Sequence, residues 1–210
     1  MNPIFNFFTE AYHQTSLYIL ILELLVFIFG IASVIFAKKE NILVYPTGLV
    51  ATIITVYLLY KAGYFGDMVL NFYYSVMSIY GWWNWSRKKQ DVYVVPISKT
   101  NKIEKGIGFL MFIITMIVTY GVYQYFGQEI KSENYIDIFT SGIFFTAMWL
   151  MANKKLENWT LWIFADMITV PLYAYRGLGI LSLQYLIFTI LAIQGYFAWK
   201  KTLNKQTSTL

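Results

Sequence analysis

Apolar residues gather along the chain in runs of about twenty, separated by short polar segments that hold most of the charge. A helix needs roughly 20 predominantly apolar residues to cross a bilayer. Seven runs approach that length: 16–37, 42–60, 68–86, 106–128, 136–153, 158–175 and 177–199. The pattern therefore predicts an all-α integral membrane protein with seven transmembrane helices. The fifth run is short and holds Asp137 near its start, so its boundary is the least sharply marked. The first run is not a cleavable signal peptide. It lacks a basic leading region, carries Glu23 in its apolar stretch and shows no small-residue cleavage pattern before the next run.

The polar segments add a sidedness. Lys38, Lys39, Arg87, Lys88, Lys89, Lys99, Lys102, Lys105, Lys154, Lys155, Lys200, Lys201 and Lys205 fall on one side of the seven crossings, 13 of the 16 basic residues. Only Lys61, Lys131 and Arg176 fall on the other. The positive-inside rule then places the C-terminus in the cytoplasm and the N-terminus outside. An even number of spans would scramble this asymmetry, so the charge count supports seven independently of hydropathy.

The junctions also repeat. "GWWNW" at 81–85 closes the third run and "GYFAW" at 195–199 closes the seventh, each followed by basic residues. "AKKEN" at 37–41 follows the first run and "NKKLEN" at 153–158 follows the fifth, while Lys61 after the second matches Arg176 after the sixth. The matches keep their order at offsets of roughly 114 to 117 residues, which reads as an internal repeat. Two three-helix bundles of like orientation follow, repeat A over 16–86 and repeat B over 136–201, joined by a linker helix over 106–128. Parallel repeats of this 3+1+3 kind are a transporter plan, with substrate held near the midplane between the halves.

Composition narrows the chemistry. The 210 residues are 58% hydrophobic and 13% charged, with mean hydropathy +0.54, against about 25% charged in a soluble domain. The net charge of +5 lies between apolar runs rather than on one face, so no nucleic-acid surface is implied. Without cysteine, disulfides and thiolate metal sites are excluded. The only histidine, His13, lies outside the runs, which removes His-based triads, haem ligation and His-rich metal sites. No GxxxxGK[ST] loop is present. Neither an enzyme nor a cofactor is expected. The segment 87–105 reads as a solvated basic loop.

Beyond Asp137 at the start of the fifth run, the ionisable groups inside the runs are Glu23 and Asp166. A charge at the centre of a span costs about 2.5–3.5 kcal/mol on insertion scales, so each needs a partner or a wet cavity. Glu23 lies near the outer face and suits a structural role. Asp166 sits mid-span, beyond snorkelling reach. Trp159, Trp162, Asp166 and Tyr173 fall at i, i+3, i+7 and i+14, one helical stripe. Asn71, Tyr74, Ser78, Trp82 and Trp85 form a second stripe in the third run, and Gln184 and Gln194 stand in the seventh. For any single amide helix–helix glue is the better account, and an interfacial belt accounts equally for Trp82, Trp85 and Trp159. Together the stripes describe a site of flat aromatic walls with amides and one carboxylate. Such a site takes a flat, polar molecule, and aromatic faces and a carboxylate both favour a cation.

The run from Asn71 through "IYGWWNWSR", with "ENWTLWIFADMITVPLY" and "SLQYLIFTILAIQGYFAW", resembles the PnuC family of bacterial vitamin transporters over nearly the whole chain. The resemblance implies a fold related to the SWEET transporters, a homotrimer, and facilitated uptake of nicotinamide riboside across the inner membrane. A cytoplasmic kinase would then trap the product by phosphorylation. Relatives carry thiamine or riboflavin, and thiamine is the alternative substrate here; a membrane sensor or binding subunit is the alternative from another class. Carried over by position, the family's amide and aromatic fall on Asn71 and Tyr74. Its tryptophan motifs fall on Trp82, Trp85, Trp159 and Trp162, and its following polar position on Asp166.

Overall fold

The structure is a computed structural model, and it describes residues 16–62, 65–89, 92–93, 95–125 and 130–208. His13 lies outside the described residues. Among them stand seven helices: α1 (Leu17–Lys38), α2 (Val44–Ala62), α3 (Phe65–Ser86), α4 (Lys102–Tyr125), α5 (Ser132–Ala152), α6 (Glu157–Tyr175) and α7 (Gly179–Ser208). Five of them, α1, α2, α4, α5 and α7, are long and apolar enough to cross a membrane by length and composition. The two whose composition falls short, α3 and α6, carry the polar and aromatic stripes. A helix that gives up apolar residues to line a site loses hydropathy by doing so.

Local chemistry sets the ends. α4 starts four residues before the apolar run does because Asn101 and Glu104 form a reciprocal cap. The Glu104 N–H donates to Asn101 Oδ1, and the Asn101 N–H donates to Glu104 Oε2, both at 2.8 Å. α5 likewise begins upstream, at Ser132, where the Lys131 N–H donates to Asn134 Oδ1 at 2.9 Å. α7 continues nine residues past Trp199. At 1.5 Å per residue its 30 residues span about 45 Å, longer than a hydrocarbon core of about 30 Å. The surplus carries Lys200, Lys201 and Lys205.

The expectation of a solvated loop over 87–105 is corrected. A two-stranded ribbon, β1 (Lys88–Lys89) against β2 (Val92–Tyr93), opens the segment. Ile97 then enters the core at 2% exposure. The backbone beside it is pinned to the α5–α6 turn: the Ser98 N–H donates to Lys154 O at 3.1 Å and the Leu156 N–H to Ser98 O at 2.9 Å. Lys155 Nζ reaches Ser98 Oγ at 3.0 Å and Glu104 at 2.7 Å, while the Thr100 N–H donates to Glu157 Oε2 at 2.9 Å. One buried isoleucine and these bonds anchor a segment whose net charge reads as solvated.

Packing runs α1 on α2, α2 on α3, α5 on α6 and α6 on α7. Two further contacts, α3 on α5 and α7 on α1, close these six helices into a ring; α4 lies against α5. The turn after α1 and the turn after α5 are built alike. Glu40 (φ 53°) and Lys154 (φ 49°) take the left-handed position. The Asn41 N–H donates to Phe36 O and the Lys155 N–H to Leu150 O, both at 2.9 Å; the Glu40 N–H donates to Ala37 O and the Lys154 N–H to Met151 O, both at 3.0 Å. This pair of backbone bonds is the Schellman closure of a helix. The equivalence aligns Glu40 with Lys154, where matching the lysine pairs of "AKKEN" and "NKKLEN" would not.

Candidate binding site

The site begins on α6. Asp166 is 2% exposed, and its Oδ1 is buried without a hydrogen-bond partner. One turn on, Thr169 is also buried, but its hydroxyl donates to Ala165 O at 2.8 Å and is thereby committed. Leaving a buried polar atom unpaired costs about 1–3 kcal/mol, more for a charged group.

Around the same face of α6, rings from four helices meet. Trp162 lies 5.3 Å from Phe144 of α5 and 6.5 Å from Tyr74 of α3, centroid to centroid. Phe144 stands 6.1 Å from Tyr185 of α7, and Tyr185 stacks on Tyr173 of α6 at 5.2 Å and 8°. Tyr73 fixes the α3 side: it stacks on Phe145 at 3.3 Å and 11°, and its hydroxyl donates to Phe145 O at 3.1 Å. Asn71 lies one turn from Tyr74. Gln184 is buried beside Tyr185, with its Nε2 against α1 at Gly30, where an added Cβ would stand 3.4 Å away and 3.3 Å from Phe188. Gly30 thus lets α1 come close to the amide. Beyond Tyr173 the wall ends in an ion pair. The Arg176 guanidinium sits over the Tyr173 ring at 5.8 Å and donates to both Asp137 oxygens, at 3.2 and 2.6 Å.

The structure thus brings Tyr74, Trp162 and Tyr173 into one run of rings with Phe144 and Tyr185; Asp166 follows Trp162 by one turn of α6, Asn71 precedes Tyr74 by one turn of α3, and the Gln184 amide faces α1. It places four other sequence candidates elsewhere. Trp85 and Trp159 are 3% and 2% exposed in a packed seam at the lysine-rich end. Trp82 is 42% exposed at the lysine-rich end of α3, and tryptophans are enriched at membrane interfaces. Gln194 is exposed, and its Oε1 accepts from Lys38 Nζ at 2.8 Å. Ten residues separate it from Gln184, about 15 Å along α7, which carries it toward the lysine-rich end. Glu23 keeps a buried Oε2 without a partner on α1.

Sequence reasoning missed Phe144 and Tyr185. Phe144 lies in an apolar run whose lipid-facing and inward residues look the same. Tyr185 carried a usable signal, since it adjoins Gln184. Among the described residues no group of three or more His, Cys, Asp or Glu is placed to hold a metal.

Comparison with known proteins adds to this geometry. A family model described as "Nicotinamide mononucleotide transporter" matches residues 20–201. The chain belongs to the nicotinamide mononucleotide transporter family. It is similar to the nicotinamide riboside transporter PnuC of Escherichia coli (strain K12), 24% identical over 202 residues, covering 85% of this chain and 84% of that one. PnuC of Neisseria mucosa is 23% identical over 193 residues, covering 85% and 71%. A crystal structure of the vitamin B3 transporter PnuC superposes with a TM-score of 0.70 at 22% identity, over 88% of this chain and 82% of the other. This member of the nicotinamide mononucleotide transporter family is therefore a multi-pass, all-α membrane transporter.

Proposed function

We propose that the chain takes up nicotinamide riboside across the bacterial inner membrane by facilitated diffusion. The observation that carries the reading is the buried, unpartnered Asp166 oxygen beside the Trp162–Phe144–Tyr185–Tyr173 wall. Nicotinamide riboside is a flat ring with a delocalised positive charge, a carboxamide and sugar hydroxyls. The aromatic faces stack the ring, Asp166 balances the charge, and Asn71 and Gln184 suit the carboxamide or hydroxyls. The names of the relatives point the same way.

The architecture that serves this role is the 3+1+3 plan related to the SWEET transporters, with α1–α3 and α5–α7 as like-oriented repeats and α4 as the linker. Support comes from the matched turns at Glu40 and Lys154 and from the reciprocal packing of α1 on α7 and α3 on α5. The lysine-rich end is cytoplasmic by the charge asymmetry. The protein works as a homotrimer, and a cytoplasmic kinase makes uptake irreversible by adding a phosphate that the site rejects.

No ion coupling is needed. A monocation entering a cell held about 100 mV negative gains about 2.3 kcal/mol, which concentrates it about 40- to 50-fold. Thiamine, also cationic, meets the same carboxylate and is the competing substrate. Calorimetric titration of the pure protein against nicotinamide riboside, thiamine, riboflavin and nicotinamide mononucleotide tests the assignment. The reading expects the riboside to bind tightest and the mononucleotide, with its phosphate charge near Asp166, to bind poorly. Tighter binding of thiamine reassigns the substrate, and tighter binding of neutral riboflavin removes the charge argument.

A further inference from the structure

At the lysine-rich end two tryptophans reach across between α1–α3 and α5–α7. Trp85, in the last turn of α3, donates its indole N–H to Ala152 O at 3.2 Å, and Asn84 Nδ2 donates to the same oxygen at 2.9 Å. Trp199 of α7 donates its indole N–H to Ala37 O at 3.0 Å. Ala152 and Ala37 lie in the last turns of α5 and α1, where helix carbonyls lack i+4 partners, and Ala37 O also accepts from the Glu40 N–H at the turn. Each bond therefore ties the third helix of one set to the end of the first helix of the other.

The two clasps meet. The Trp85 and Trp199 rings stand 6.0 Å apart. Tyr45 packs edge-on against Trp85 at 5.1 Å and 87°, and Trp159 against Trp199 at 5.4 Å and 88°. Lys154 Nζ lies 4.6 Å from the Trp85 ring and 3.8 Å from Glu40, so an ion pair joins the two turns as well. Ala37, Ala152 and Trp199 are all but fully buried.

This sealed seam is also unsatisfied. Tyr45 OH, Trp159 Nε1 and Asn158 Oδ1 are buried there without hydrogen-bond partners. Buried polar atoms in a permanent joint are normally paired. Opening the seam would bring water or substrate to all three and so return part of the cost of breaking the clasps.

We propose that Trp85 and Trp199 form the inner gate of the transport path, and that their two clasps break and re-form as one unit. The inference rests on the transporter reading above. Neither indole can leave its carbonyl without uncovering the other ring, which makes partial opening costly and coordinates the two halves.

The chain has no cysteine, so introduced thiols report alone. In reconstituted vesicles, the Asn84→Cys/Ala152→Cys protein is bridged with a short bifunctional thiol reagent. Bridging is expected to abolish nicotinamide riboside uptake while leaving binding intact; undiminished uptake by fully bridged protein overturns the gate. If the unbridged, unsubstituted protein takes up no riboside, the transporter reading falls and the gate falls with it. A second arm places a reporter at Met77→Cys, buried in the same cluster two turns deeper. Trp85→Phe and Trp199→Phe, which keep a ring and lose the N–H, are each expected to raise labelling by an impermeant thiol reagent from the Trp85 side several-fold. The double variant should exceed neither single one. Unchanged labelling, or effects that multiply independently, contradicts a single gate.

Discussion

The Trp159 ring occupies the space that a side chain at Gly195 would need: a Cβ there would stand 2.7 Å from three of its ring atoms. Gly81 stands in the same relation to Tyr45, with an added Cβ falling within 2.6 Å of the phenol. Both glycines admit an aromatic ring from the preceding helix and so set the α2–α3 and α6–α7 spacings. Gly195→Ala should therefore destabilise by about 1–3 kcal/mol, as overpacking does. Gly121→Ala, in open space on α4, should be neutral or stabilise by up to about 1 kcal/mol, since it removes a helix-interior glycine. Thermal unfolding of the purified variants in detergent checks the contrast.

Asp166→Asn keeps the shape of the site and removes the anion. A hydrogen bond to a charged group contributes about 1.5–3 kcal/mol, so affinity for a cationic ligand should fall about 10- to 100-fold. A neutral analogue of the same shape should lose little. Titration of both ligands against both proteins makes the comparison, and equal losses would remove Asp166 from charge recognition.

Trp162→Ala should weaken binding by about 1 kcal/mol or more if its ring faces the cationic ligand. Trp82→Ala, at a ring already 42% exposed, should leave the dissociation constant unchanged. A binding loss at Trp82 equal to that at Trp162 would move the site toward the lysine-rich end.

Lys154 gives a pH signature. Burial pushes its ammonium below the ordinary lysine value of 10.5, and the nearby Glu40 only partly offsets this. A lysine depressed in the folded state loses its proton there while the unfolded chain still holds one, so stability rises with pH across that window. The folded protein should gain stability relative to Lys154→Met as pH climbs toward 10.5. Unfolding curves for both proteins at several alkaline pH values measure the difference; parallel curves would show that Lys154 does not titrate in the fold.

The helices were legible because a bilayer demands long apolar runs, and the stripe on α6 because the three-four spacing of Trp159, Trp162, Asp166 and Tyr173 survives any packing. What sequence could not reveal was which stripe residue meets which neighbour. Trp159 shares a face with Trp162, yet it lies one turn closer to the helix end, where Gly195 draws it into the seam. Gln194 lies about 15 Å along α7 from Gln184, where its Oε1 meets Lys38 instead. Ile97 failed because one apolar residue in a lysine-rich segment gives no periodic signal. Phe144 became visible only when α5 was brought beside α6.

Uptake of labelled nicotinamide riboside into vesicles containing the purified protein, under an imposed inside-negative potential of about 100 mV, is the most direct measurement. The account predicts a plateau about 40- to 50-fold above the outside concentration, falling to equality when the potential is collapsed and nearly absent with Asp166→Asn. Accumulation that persists without a potential, or uptake indifferent to Asp166, would contradict a facilitator that recognises its cation at the buried carboxylate.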